Sequence, residues 1–204
     1  MKRLVLRFST IDTPIGIPFW FAASDEGFCR TTFRLSEEAF VAELEESFGA
    51  EARRDARGLE AARETFEAYF HGELRNFSLP IDLRGGTPFE RRVWRGLQRI
   101  PYGKTWSYQE QARFVGHPRS VRAVGAANGK NPLPILLPCH RVIGSDGKLR
   151  GFRGGVEIKA WLLQLERQNA QTTHPFCTLD PHGVESGDGR PGWSPGRSKG
   201  RHGK

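Results

Sequence analysis

Between Thr87 and Gly129 the chain punctuates itself too often for any long helix to form. Thr87 as cap and Pro88 at the first helical position open "TPFERRVWRGLQRI", and "PYG" closes it. "SYQE" at 107–110 is a capping box, Ser107 to Glu110, opening a helix that Gly116 stops. Pro118 then starts "PRSVRAVGAANG". Two short helices joined by the tight "GHP" turn resemble a helix-turn-helix, so this half is predicted to be mainly helical.

The second helix of that pair has an unusual outer face. At about 100° per residue Val121 and Val124 share one side, while Arg119, Arg122, Ala123 and Ala126 lie opposite. A solvated face ordinarily carries long polar side chains of both signs. A bare Ala/Arg face suits close approach to another polymer, with the arginines bonding phosphates or entering a duplex. Charge supports a polyanionic partner: residues 1–83 carry 10 Lys and Arg against 15 Asp and Glu, a net of −5. Residues 84–168 carry 16 against 5, a net of +11, so the chain's +8 belongs to the segment holding these helices.

The first half reads as mixed α/β. "LVLRF", "IGIPFWFA" and "GFCRTTF" are predicted strands. "SEEAFVAELEESFG" is a helix capped by Ser36 and stopped by Gly49, and "LEAARETFEAYFHG" repeats the pattern with Phe66, Tyr69 and Phe70 apolar. No catalytic cluster shows here, so residues 1–83 read as a scaffold, with "IDLRGGTP" as linker. No apolar run is long enough to span a bilayer, and "MKRLVLRFSTIDTP" lacks the apolar core of a signal peptide, which predicts a cytoplasmic protein. Cys29, Cys139 and Cys177 are odd in number and widely spaced, arguing against a disulfide framework or a zinc knuckle.

Cys139 sits in "NPLPILLPCHRVIG", between proline and histidine after an apolar run. Taken alone, a free cysteine there is a small buried hydrophobe. The surrounding motifs change that reading. "PCHRV" at 138–142, "NPLPI" at 131–135, "VRAVG" at 121–125, "SYQE" at 107–110 and "GFRGGVEIKAWLLQLE" at 151–166 together resemble the O6-alkylguanine-DNA alkyltransferases. The likeness is dense over residues 87–167 and weaker over "TPIGIPFWFAASDEGF".

The resemblance implies irreversible, stoichiometric transfer of an alkyl group from guanine O6, and from thymine O4, to Cys139 in double-stranded DNA. A neutral thiol is a poor nucleophile at neutral pH and needs activation. The matching residues are His140, coupled to Cys139 through water, and Glu166, which orients the imidazole and stabilises its protonated form. Tyr108 matches the family's general acid for the departing guanine. Asn131 matches the residue that braces the active-site turn. Pro134, Val142 and the loop containing Phe152, Arg153 and Gly154 match the guanine pocket. The nucleotide must be rotated out of the stack, and Arg122 matches the arginine that fills the space it leaves. Arg119, Lys130 and the basic residues of "LQRIPYGK" are candidates for phosphate contacts, with Ala123 and Ala126 lining the close approach.

Two departures stand out. The loop reads Phe152-Arg153 where many members have Tyr followed by Ser or Arg. Some relatives hold structural zinc through N-terminal Cys and His, but Ser24 stands near one such position and Cys29 lacks thiol partners, so no metal is expected, nor any cofactor. Residues 169–204, rich in Gly, Pro, Ser and Arg, read as a disordered tail. The expected protein is a two-domain, monomeric α/β alkyltransferase. Two other classes remain open: a cysteine hydrolase using Cys139, His140 and Asn131, and a non-catalytic module recognising alkylated DNA.

Overall fold

The computed structural model describes residues 4–170, so the expectation for the tail beyond Ala170 lies outside the described residues. The first half runs β1 (Val5–Asp12), β2 (Pro18–Ala23), β3 (Phe28–Phe33), α1 (Glu37–Phe48), β4 (Glu51–Arg54) and α2 (Glu60–Phe70). The sheet order is β3-β2-β1-β4, with β1 to β3 an antiparallel meander and β4 parallel to β1. Alternation along the strands gives the sheet two apolar faces. Leu6, Phe8 and Trp20 pack against Phe40 and Leu44 of α1 on one side. Phe19, Phe21 and Phe33 meet Phe66, Tyr69 and Phe70 of α2 on the other. Ser36 caps α1 by accepting from the Ala39 amide, and Gly49 ends it at φ 59, as the sequence predicts. Strand β4 was not anticipated: "EARR" has neither apolar alternation nor β-branched residues, as suits a charged edge.

The second half comprises α3 (Pro88–Leu97), β5 (Trp106–Ser107), α4 (Tyr108–Phe114), α5 (Val121–Gly129), a 3-10 turn at Cys139–Arg141, β6 (Val142–Ile143) and α6 (Val156–Ala170). Both capping boxes form, Thr87 with Glu90 and Ser107 with Glu110. Helix α5 begins three residues later than its proline suggests. Ser120, at φ −101 and ψ 34, lies outside helical geometry, and its amide bonds the His117 carbonyl in a turn that holds Arg119 ahead of the helix. Val93, Ala112, Val115, Val124 and Ala127 form the small core of α3, α4 and α5. Paired amides of Gln111 and Asn128 lock α4 to α5, with Asn128 Nδ2 donating to Gln111 Oε1 over 2.7 Å.

The segment read as a linker is woven into the sheet edge. Ile81 bridges to Phe28, and Ser24 Oγ donates to Asp82 Oδ2 at 2.6 Å. The main core is continuous across both halves, running from Phe19, Phe66 and Tyr69 to Leu97, Leu133, Cys139 and Leu162. Among the described residues no helix is long and apolar enough to cross a membrane.

Candidate active site

Cys139 follows a turn that the first half of the chain helps to hold. Ile135 sits at φ 79, a conformation that a β-branched residue adopts only under constraint, at a cost of about 1–3 kcal/mol. The constraint is visible on both flanks. Asn131 Nδ2 donates to the Leu137 carbonyl at 2.7 Å, and its Oδ1 accepts from the Leu133 amide at 3.0 Å. From β3, Thr31 Oγ1 donates to the Pro134 carbonyl at 2.7 Å, and the Thr31 amide to the Pro132 carbonyl at 3.0 Å. Parallel pairing of Trp106 with Val142 then joins the start of α4 to the strand after the cysteine.

Behind Cys139 lies a fully buried cluster. His140 Nε2 is 2.9 Å from Glu166 Oε1. Glu166 also accepts from Arg141 Nε at 2.9 Å on Oε2, from Arg141 Nη2 at 2.9 Å on Oε1, from the Gly103 amide at 3.0 Å and from Tyr69 Oη at 2.7 Å. Burial alone would push this carboxyl up, but His140 and Arg141 outweigh it and hold Glu166 well below the usual carboxylate range. Burial pushes His140 the other way, below its ordinary value, despite the pull of Glu166. The pair therefore rests as carboxylate and neutral imidazole, with the Nε2 proton directed at Glu166. That leaves Nδ1 as the basic nitrogen, and it is buried with no protein hydrogen-bond partner.

Cys139 itself is 7% exposed, and burial pushes its thiol up, against the opposing effects of Asn131 and Lys159. It rests as a thiol and needs a base. Lys159 is wholly buried, donating from Nζ to the carbonyls of Val142 at 2.6 Å and Arg150 at 2.8 Å. Burial lowers its pKa to about 8, so it supplies a positive charge that favours a developing thiolate.

The other expected pocket residues divide. Tyr108 is half-buried rather than enclosed, and its hydroxyl donates to the Arg150 carbonyl at 3.1 Å. Burial raises its pKa, so the phenol keeps its proton. Pro134 and Val142 are buried around the turn. Phe152 packs on Phe33 of the sheet, with ring centroids 6.2 Å apart, and Gly154 lies against both rings, where a Cβ would come within 2.9 Å of Phe152. Arg153 reaches Glu43 of α1 at 2.7 Å. Phe152 and Arg153 thus bind the loop to the first half of the chain.

On the outer side, Arg119, Arg122, Ala123 and Ala126 are all exposed, while Val124, Ala127 and Asn128 turn inward. Lys130 is exposed but engaged, 2.8 Å from Glu90. Ser24 and Cys29 stand apart: Ser24 is bonded to Asp82, and Cys29 is buried in the sheet. Among the described residues no group of three or more His, Cys, Asp or Glu could hold a metal ion.

Tyr69, Arg141 and Lys159 carry no weight in the sequence reading. Tyr69 fits helical apolar spacing and passes for core. Arg141 lies within "PCHRV" and Lys159 within "GFRGGVEIKAWLLQLE", so the motifs held a signal for these two.

Comparison with known proteins is consistent across residues 6–168. Residues 88–168 match the 6-O-methylguanine DNA methyltransferase DNA binding domain, and residues 6–83 its ribonuclease-like domain. A methylated-DNA–protein-cysteine methyltransferase of Mycolicibacterium paratuberculosis is 43% identical over 166 residues, covering 81% of this chain and 95% of that protein. The constitutive enzyme of that name from Bacillus subtilis is 42% identical over 161 residues, covering 78% and 94%. The crystal structure of Mycobacterium tuberculosis OGT in complex with DNA superposes with a TM-score of 0.67 at 42% identity, covering 81% of this chain and 94% of that one.

Proposed function

The chain belongs to the 6-O-methylguanine DNA methyltransferase family, and from that premise we propose that it repairs duplex DNA by moving an alkyl group from guanine O6 to Cys139, once per molecule. The observation that carries this reading is the buried His140–Glu166 pair beside a protonated Cys139, next to a helix pair whose outer face is Arg119, Arg122, Ala123 and Ala126.

In this mechanism His140 Nδ1 takes the Cys139 proton through one water, and Glu166 stabilises the imidazolium. The thiolate attacks the saturated alkyl carbon. A sulfur–carbon bond forms as the carbon–O6 bond breaks, and Tyr108 exchanges its bond to the Arg150 carbonyl for the departing guanine, giving it a proton. The products are a thioether at Cys139 and restored guanine. Nothing regenerates the thiol, so the protein is consumed. Arg122 fills the stack left by the rotated nucleotide, and Asn131 braces the turn. Arg119 and Lys130 are phosphate contacts in this reading, Lys130 after exchanging Glu90 for the backbone. Pro134, Val142, Phe152, Arg153 and Gly154 shape the pocket and its supporting loop.

The break between the matched segments, at 83 and 88, supports a division into residues 1–83 and 84–168, and the reading places the protein's action in the cytoplasm. A cysteine hydrolase fits less well. Asn131 is spent on the Leu133 amide and the Leu137 carbonyl, and Glu166 orients the histidine.

The test is duplex DNA carrying a labelled methyl on guanine O6. Label should move to protein and stop near one per molecule, whereas repeated turnover releasing labelled methanol would sink the proposal. Cys139→Ala should abolish transfer while keeping affinity for alkylated duplex. Loss of affinity in that variant would mean the thiol is structural.

A further inference from the structure

A cleft of about 820 Å³ opens on the outer side of α3 and lies outside the site above. Arg91, Arg92, Arg95 and Arg99 line it with Gln98, and Phe114, 54% exposed, forms its apolar wall against Trp106 at 5.1 Å. These arginines differ from those of the first half of the chain. There Arg7, Arg30, Arg53, Arg54 and Arg63 each face a carboxylate. Among the described residues none of the four cleft arginines has an ion-pair partner, and the one acidic residue of α3, Glu90, is occupied by the Thr87 capping box and Lys130.

Arg91 and Arg95 stand four residues apart on α3, a rise of about 6 Å, and Arg99 follows in the turn that closes the helix, so like charges line one ridge. Such stacking destabilises an isolated helix and is relieved by a polyanion. Helix α3 also adjoins the proposed DNA face. Arg92 Nη1 lies 3.3 Å from His117 Nε2, and Phe89 packs edge-on to the His117 ring, which places α3 against the turn between α4 and α5.

We propose that this ridge is a second phosphate track, on which Arg91, Arg95 and Arg99 hold one strand of the same duplex where it flanks the lesion site. The inference rests on duplex binding by α4 and α5 and extends its footprint. It assigns these arginines to affinity without sequence choice and leaves them no part in the chemistry.

The test compares an Arg91→Ala/Arg95→Ala/Arg99→Ala variant with the parent on two lesion duplexes, one just covering the α5 contact and one extended on both sides. On the extended duplex the slope of log affinity against log salt should fall by about 2–3 units, near 0.9 per lost phosphate contact. On the short duplex affinity should be unchanged, and so should alkyl transfer from free O6-alkylguanine, which also reports that the variant is folded. Equal weakening on both duplexes would place the ridge over the lesion and overturn the flanking track. No change on either, while Arg119→Ala weakens both, would leave duplex binding standing and assign the ridge to another partner. If Arg119→Ala also has no effect, the underlying DNA face is wrong.

Discussion

In the proposed mechanism the chemistry turns on Glu166, because five donor groups converge on one buried carboxylate. Arg141, Gly103 and Tyr69 keep it ionised without taking the place of His140, so its remaining task is to receive the Nε2 proton and leave Nδ1 basic. Tyr69 is a positioning residue in this arrangement, acting through Glu166 and standing 3.4 Å from His140 Nε2. Tyr69→Phe keeps the ring packed and removes one donor. Glu166 should then hold the histidine proton more strongly, against the opposing charges of Arg141 and Lys159, and His140 should titrate at higher pH. The acid limb of the transfer rate should move upward by about one pH unit, the equivalent of about 1.4 kcal/mol, with a loss of no more than about 4-fold at neutral pH. A lower melting temperature with an unmoved acid limb would make Tyr69 a packing residue only.

At the scale of elements, the geometry of α4 and α5 decides what Arg122 can reach. The reciprocal amides of Gln111 and Asn128, and Trp94 Nε1 donating to the Ala127 carbonyl at 2.7 Å, fix α5 to α4 and α3 by its inner face. The outer face is thereby presented as a rigid ridge of alanine and arginine. Extruding a nucleotide costs a few kcal/mol of stacking, which a side chain filling the gap offsets. Arg122→Ala should slow transfer from duplex DNA by about 10-fold or more, while transfer from free O6-alkylguanine, already outside a helix, should change little. Equal slowing of both substrates would assign Arg122 to the pocket or the fold.

Across the whole molecule, the candidate site is shared property. Thr31 of the sheet bonds the turn before Cys139, Tyr69 of α2 reaches Glu166 and His140, and the main core passes through Cys139 without a break. Stability and protonation are coupled as a result. His140 titrates below its ordinary 6.5 and Glu166 below its ordinary 4.5 when folded, so in each case the unfolded chain takes the proton first. Their contributions are complete above those ordinary values and are lost as pH falls, His140 below 6.5 and then Glu166 below 4.5. The melting temperature should therefore begin to drop on acidification below about 6.5, ahead of ordinary carboxylate titration. A midpoint that stays flat down to 4.5 would contradict a buried neutral histidine.

The starts of α1, α3 and α4 and the stop of α1 were legible in the sequence because a cap acts within three or four residues, whereas the start of α5, which has no side-chain cap, was not. Ser36, Thr87, Ser107 and Gly49 each satisfy backbone groups of their own first or last turn, so the evidence for them is local. The inward and outward faces of α5 follow from the same short-range periodicity. The positions of Cys139, His140, Glu166, Asn131, Tyr108 and Arg122 were legible only through motifs that mark a family. Tertiary structure alone decided the rest. Strand β4 exists because β1 offers an edge, though its own residues favour no strand. Tyr69 meets Glu166 across 97 residues, and Thr31 meets Pro134 across 103. A hydroxyl at such a distance leaves no trace in local pattern, since a tyrosine that only packs and one that also donates occupy the same apolar position of a helix. Whether it packs or positions is settled by the partner that folding brings to it.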